Sequence, residues 1–455
     1  MATEVSSQDR PFKVIIVGAG IGGLILAHSL DQAGIDYVVL DKHPVAPAWG
    51  GSFSLHPSGT RTLHQLGILE TLESRYEPMG LAINRGPDGK DFSAGKMFDM
   101  ITDRNGYYEY TLERRAFLQI LYDTLPEESK PNVIENARVR DITEDNGTVE
   151  VTLADGTVHE GDLVVGADGV HSAVREIMWA AADKLSPGLI TTEERQTIKT
   201  TYKCLIGVAP RPAGFGKTDM ISVSNDRSSF LMLMEGDTLF FIAPYKLPSD
   251  EIKTYPDRPR YTDADAELLA AELADRPLSA ATGITFGDIW HSRTRGHLVS
   301  LEEGVLSTWF HGRTVLCGDS AHKMTPNAAF GGQSAMESAV VLANELTTLV
   351  RSKGGAKPSD AEIQATLQRY QDARLSRVKE IYNVSWMLTR LQAYDGWLMY
   401  LLHRWILPVI GMDFAAKNLA KACSDAPYLW YVPYQQRTGT LPWKVHKYPS
   451  LLMKR

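Results

Sequence analysis

The sequence predicts an α/β fold: a Rossmann-like dinucleotide-binding domain, an antiparallel β-sheet domain inserted into it, and a helical C-terminal region. Three observations carry that expectation. VIIVGAGIGGLILAHSL, Val14 to Leu30, reads as a strand, a glycine-rich turn and a helix, and a second strand ends in Asp41, 23 residues after Gly18. Between about residues 181 and 310, short β-rich runs alternate with turn residues. After residue 353 the apolar residues recur at helical spacing.

In the first motif, Gly18 allows a tight turn, Gly20 lets the backbone approach a pyrophosphate, and Gly23 lets helix and strand pack closely. Amides at the helix start face the phosphates, and the helix dipole favours their charge. Asp41 is placed to hydrogen-bond a ribose hydroxyl. The alternative is a glycine-rich packing turn with no ligand. A Gly/Ser/Pro-rich loop containing Ser54 then leads into a helix at PSGTRTLHQLG. LERRAFLQIL puts Arg115 on a helix, with Arg114 beside it and a surface salt bridge as the competing role. Residues 137–160 alternate in polarity around two tight turns, DNG and ADG, and so predict a small β-meander. In GDLVVGADGVHSAVR an apolar strand runs into Asp168-Gly169 and a helix. Residues 11–180 therefore form most of the dinucleotide domain, and 311–352 complete it.

The inserted domain, 181–310, carries strand-like runs YKCLIGVA, DMISVS, SSFLMLME and TLFFIAPY, and a helix from Asp263 with Thr262 as its N-cap. TVLCGDSAHKMTPNAAFGGQSAMESA then places Gly318-Asp319 at a strand end, with a helix from Gly331 and Gly332 to about Leu349. An ordinary N-cap is the alternative for Asp319, and a turn acid for Asp168. Residues 353–455 open with a linker and a long helix bearing Arg374 and Arg377 one turn apart. WLMYLLHRWILPVI, Trp397 to Ile410, contains His403, Arg404 and Pro408 and is too short to span a bilayer. It reads either as a buried helix covering a pocket or as a peripheral membrane patch with Trp397, Tyr400 and Trp405 at the interface. The aromatic, proline-rich tail reads as irregular structure over the surface.

Composition narrows the function. A chain of 455 residues, 44% hydrophobic and 22% charged, is globular with two or three domains. A net charge of −8 and the absence of a basic stripe exclude a nucleic-acid partner. The N-terminus lacks the pattern of a secretory signal. Cys204, Cys317 and Cys423 are odd in number and far apart, so they read as free thiols of a cytoplasmic protein, with no metal site. Asn146-Gly147-Thr148 matches a glycosylation sequon, but the hairpin-turn reading takes precedence.

The order GxGxxG, Arg helix, Asp-Gly and Gly-Asp resembles the single-component FAD monooxygenases of the p-hydroxybenzoate hydroxylase type over residues 13 to about 350. That resemblance implies FAD, held by Gly18, Gly20, Gly23 and Asp168 in its motifs, with Asp41 on the adenosine ribose. It puts Arg115 on the flavin chain or pyrophosphate and Asp319 on a ribityl hydroxyl. Ser54 lies near the flavin, and the amides of Gly331 and Gly332 stabilise charge on its reduced form. NADPH or NADH is implied as a transient co-substrate, with O2 as oxidant. PSGTRTLHQLG, GDLVVGADGVHSAVR, TYKCLIGVA and GDSAHKMTPN resemble the narrower group of fungal paxilline-type monooxygenases. These act on prenylated indoles and other meroterpenoids, often as epoxidases in secondary metabolite biosynthesis. The small-molecule substrate is then bulky and apolar, and is epoxidised or hydroxylated.

The chain departs from that pattern in several places. Asp41 stands for a usual Glu, Ser54 for a common Gly, Lys203 for a frequent Arg, Ala329 for a Gly, and bulky Phe330 follows it. Lys203 is the candidate catalytic cation, against the alternative of a solvated strand-end lysine. The rival readings are an aromatic (phenol) hydroxylase, an FAD oxidase or dehydrogenase, and a non-enzymatic relative.

Overall fold

A computed structural model describes residues 10–47 and 50–445. Its first layer is a six-stranded sheet in the order Phe310–His311, Thr314–Leu316, Leu163–Gly166, Lys13–Val17, Asp36–Leu40, Val133–Ile134. Lys13–Val17 pairs in parallel with Asp36–Leu40 on one side and Leu163–Gly166 on the other. Helices cover both faces, which is why Val14, Ile15 and Ile16 form an unbroken apolar run with no exposed surface. The chain leaves the central strand toward one side and returns on the other. That switch point, at the carboxyl end of Lys13–Val17, is where open α/β sheets bind ligands. Helix Ile21–Ala33 starts there and packs against helix Phe330–Lys353.

The meander appears as Val139–Asp145, Thr148–Leu153 and Val158–Gly161. Asn146 and Gly147 turn it with φ of +47° and +81°, the left-handed conformations that a two-residue hairpin requires. The second layer is a nine-stranded sheet centred on Lys199–Pro210, which pairs antiparallel with Thr238–Lys246 and Arg295–Val305. It also takes Ala82–Arg85 and Asp91–Gly95 from within residues 11–180, so the sheet draws on more of the chain than 181–310. One face carries helices Asp263–Leu273 and Phe286–Ser292 over a cluster of Phe230, Phe241, Phe286 and Trp290. Thr262 caps the first of these helices in a capping box with Asp265, which satisfies otherwise unpaired amides. The other face, with Leu231, Leu233 and Phe240, turns toward helix Met412–Ser424.

Helix Asp360–Gln392 locks the C-terminal region onto the first domain. The fully buried Arg374 donates to Glu337 at 2.6 Å, and Arg377 donates to both oxygens of the same carboxylate. After Trp397–Leu401 the helix widens to a π turn over Leu402–Ile406 and closes with Leu407–Ile410. Residues 425–445 have no regular structure. They run back over the first domain, where the Tyr431 hydroxyl donates to the Ser29 carbonyl at 2.7 Å and Trp443 donates to the Asn105 carbonyl at 3.0 Å. Among the described residues no helix is long and apolar enough to cross a membrane. The three cysteines are buried and free.

Candidate active site

A cavity of about 960 Å³ lies between the two layers and reaches the switch point. Its floor is the glycine loop. Gly18 has φ +110°, and a Cβ there would stand 2.4 Å from the Ala167 carbonyl oxygen. A Cβ on Gly23 would stand 1.9 Å from the Gly18 oxygen, so strand and helix pack as the spacing predicts. Gly20 differs: it lines the cavity, and nothing lies within 4 Å of where its Cβ would be. That open cradle above a helix N-terminus fits a diphosphate.

Arg114 is the cation in this part of the wall. It is largely buried, and burial lowers its pKa against the nearby Asp319 and Asp41 carboxylates, which raise it. No hydrogen bond holds its guanidinium among the described residues, so its donor fork is left for a ligand in the cavity. This corrects the expectation for Arg115, which is exposed and absent from the wall. The helix begins at Arg114 itself, and its first residue turns inward.

Asp41 and Asp168 bind their own loops. Asp41 Oδ2 accepts from the Ala19 amide at 2.6 Å and Oδ1 from the His43 amide at 2.8 Å, which fixes the glycine turn. Asp168 Oδ2 accepts from the amides of Ala173 and Val174; its neighbours Ala167 and Gly169 line the cavity. Arg175 ties this segment to the Gly-Asp loop by donating to the Ser320 carbonyl at 3.0 Å, a link that no local pattern revealed. Asp319 does line the cavity, paired with Lys323 at 2.5 Å. Burial alone would raise its pKa, but Lys323, His322 and Arg114 together hold it below the usual carboxylate range.

Across from the glycine loop, Pro326–Ala328 leads into helix Phe330–Lys353. Ala329 stands where the family pattern has glycine, and it adopts the left-handed φ of +53° that explains that preference. Gly331 and Gly332 both line the cavity. The space beside Gly332 is closed by protein, because its Cβ would meet the Phe53 ring at 2.3 Å. Ser54 is buried in the wall, and its carbonyl accepts from Gln333 at 2.8 Å. Phe330 packs on the His56 ring with centroids 4.7 Å apart.

His56 and Glu109 form a buried pair in the same wall that sequence reasoning missed, because the two lie 53 positions apart without a shared pattern. His56 Nε2 is 3.0 Å from the Ala328 carbonyl, which only accepts, so Nε2 carries a proton. Nδ1 is 2.9 Å from Glu109 Oε2. Burial works against the imidazolium, yet Glu109 outweighs it and raises the His56 pKa. The pair holds the loop before Ala329 in place.

Lys203 is not in the site. It shares a sheet face with Leu205, covered by helix Asp263–Leu273, and its Nζ sits 5.5 Å from the Tyr245 ring centre. The cavity side of that strand carries Tyr202 and Cys204. The far end of the cavity is mostly apolar, walled by Met79, Phe98, Leu231, Leu233, Ile242 and Leu419.

Trp397–Ile410 has a cavity-lining side and an exposed apolar side. His403, Leu407 and Pro408 line the cavity. Leu398, Leu401, Trp405 and Ile406, residues of one helical face, are between 39 and 57% exposed, so that face is not core.

Known proteins repeat this combination. The sequence pattern of the FAD binding domain family matches residues 11–385. The chain belongs to that family. A protein of Fusarium langsethiae named FAD-dependent monooxygenase DEP2 is 47% identical over 435 residues, covering 95% of this chain and 83% of its own length. FAD-dependent monooxygenase atmM of Aspergillus flavus is 37% identical, covering 95% and 90%. Klebsiella pneumoniae HpxO, solved with FAD and uric acid, shares the fold with a TM-score of 0.70 at 21% identity, covering 91% of this chain and 97% of that one. The protein is therefore an FAD-dependent monooxygenase of the p-hydroxybenzoate hydroxylase fold, with NAD(P)H and O2 as co-substrates.

Proposed function

We propose that this monooxygenase inserts one oxygen atom into a bulky apolar secondary metabolite of the prenylated-indole or meroterpenoid class, by epoxidation or hydroxylation. The observation that carries the reading is the apolar far end of the cavity. A hydroxylase of simple phenols calls for a compact polar pocket with a carboxylate-binding arginine. Among the described lining residues the one arginine is Arg114, which faces Asp319 and Asp41.

Bound FAD supplies the redox chemistry and the activation of O2. The chain's residues hold and shield it. Gly20 and the helix start would receive the diphosphate, and Arg114 would neutralise it. Asp319, kept ionised by Lys323, would accept a hydrogen bond from a hydroxyl of the linking chain. The amides at Gly331 and Gly332, at the positive end of a 24-residue helix, would favour negative charge on a bound flavin. Ser54 would form part of the wall beside the cofactor. The apolar walls orient the substrate and exclude water.

The same reading includes a cytoplasmic enzyme in peripheral contact with a membrane through 397–410. Trp397 is 74% and Val409 85% exposed, beside residues that wall the cavity, so an apolar substrate has a short path from bilayer to pocket.

The test is a turnover of a prenylated indole with NADPH under labelled O2. One labelled oxygen in the product supports the proposal. Unlabelled product, or product formed without NADPH, favours an oxidase and overturns it.

A further inference from the structure

The apolar end of the cavity contains a polar corner on the sheet side. Asn84 and Ser93 oppose each other across the antiparallel pair Ala82–Arg85 and Asp91–Gly95, and both line the cavity. Neither side chain makes a hydrogen bond among the described residues. The third member, His403, arrives from the C-terminal region. It sits in the π turn Leu402–Ile406, a local widening of the helix that is frequent at functional sites.

This segment lies across the hairpin. Arg404 Nε is 3.8 Å from where a Gly86 Cβ would stand, and Met412 Sδ is 3.2 Å from the corresponding point at Gly95. The His403 ring meets Phe92 edge-on at 5.4 Å and Tyr394 at 5.9 Å, and it is only 5% exposed. Its Nδ1 is 3.2 Å from the Ser224 hydroxyl. Its Nε2 has no partner among the described residues, although the side chain lines the cavity.

The charged side chains of the wall stand elsewhere. Arg114, Asp319 and Lys323 are grouped together, and Glu109 is tied through His56 to the Ala328 loop. Burial lowers the His403 pKa to about 4, so the ring is neutral at ordinary pH. A neutral imidazole bonded to a rotatable hydroxyl offers Nε2 either as donor or as acceptor. Asn84 and Ser93 also offer both functions. The group that matches such a set in every state is a hydroxyl.

We propose that Asn84, Ser93 and His403 form a polar subsite that binds a hydroxyl group of an otherwise apolar substrate. The subsite rests on the apolar-substrate reading above and adds a specificity to it: the substrate carries a hydroxyl at a distance from the reacting carbon, and the subsite sets which carbon reaches the flavin end.

The test uses FAD-loaded enzyme and two probes, geranylgeraniol and its methyl ether, with dissociation constants measured by calorimetry. Wild type should bind the alcohol about tenfold more tightly than the ether, the size of one to two buried hydrogen bonds. Ser93→Ala and His403→Phe should bind the ether as wild type does and lose the preference. FAD content and melting temperature verify folding of both, and Ser93→Ala removes a single oxygen, so it remains informative should His403→Phe fail to fold. Equal affinity of wild type for the two probes, or a preference that persists in Ser93→Ala, overturns the subsite and leaves the apolar-substrate reading intact. Binding of neither probe by wild type overturns that reading and the subsite with it.

Discussion

Replacing Arg114 by alanine should weaken FAD binding, while the same change at Arg115 should not. Arg114 is largely buried, lines the cavity and has no hydrogen-bond partner among the described residues, so its donors are available to an anionic ligand. A hydrogen bond to a charged group is worth about 1.5–3 kcal/mol. At about 1.4 kcal/mol per decade, that is a rise of about 10- to 150-fold in the FAD dissociation constant. The upper end is expected, because truncation also leaves Asp41 and Asp319 facing a diphosphate without their shared counter-charge. Arg115 is exposed, and its removal should change the affinity by less than about twofold, within the usual range for a surface position. The assay is quenching of flavin fluorescence on titration of apoprotein. An Arg115 variant weaker than the Arg114 variant would show that the helix is turned the other way and refute the assignment.

Gly332→Val should destabilise the fold by about 1–3 kcal/mol through overpacking, since its Cβ would stand 2.3 Å from a Phe53 ring already stacked on Phe117 at 4.8 Å. Gly331→Ala, with 3.9 Å to Met324, should melt like wild type; equal melting temperatures for the two variants would exclude the Phe53 contact. Glu337→Ala should cost about 3–5 kcal/mol, because it strands the buried Arg374. Burial raises the Glu337 pKa, but Arg377 and Arg374 bring it down to about 2. The stabilisation is therefore fully present above the ordinary value of 4.5 and is lost as pH falls toward 2, so the gap between wild type and variant in acid denaturation should close across that window. Trp397→Ser with Trp405→Ser should abolish co-sedimentation with anionic vesicles and leave FAD content unchanged; undiminished sedimentation removes the membrane proposal.

The parts of the fold that were legible in the sequence are those with a local cause. Gly18 and Gly23 announce themselves because no other residue fits their contacts, and Asn146-Gly147 because the hairpin needs two left-handed residues. What the sequence did not carry was phase. The strand-like run YKCLIGVA marked the strand that spans Lys199–Pro210, but each face of this sheet is covered, one by helices and one by the cavity, so period two did not say which side Lys203 takes. The Arg114–Arg115 choice failed for a related reason. A helix that begins at one of two adjacent arginines aims them about 100° apart, and the starting angle is set by the preceding strand Tyr110–Glu113, not by the arginines.

The Trp397–Ile410 segment shows how the direction a helical face takes bears on function. A regular 3.6-residue wheel gathers Leu398, Leu401, Leu402, Trp405 and Ile406 onto one face but leaves open whether that face is core or exposed. The π turn at Leu402–Ile406 breaks the regularity, since i→i+5 bonding takes more residues to complete a turn and rotates the residues beyond it relative to those before. His403 and Leu407 lie on the side opposite this face and reach the cavity, while Leu401, Trp405 and Ile406 stay at the surface. One segment thereby presents an apolar, tryptophan-rich exterior and a polar interior contact. An apolar exterior lowers the barrier for a hydrophobic molecule to approach, and an inward histidine discriminates among those that enter. Restoring regular α-helical bonding by deleting one residue of the π turn should therefore disturb hydroxyl recognition and vesicle binding together, whereas Ser93→Ala should touch only the first.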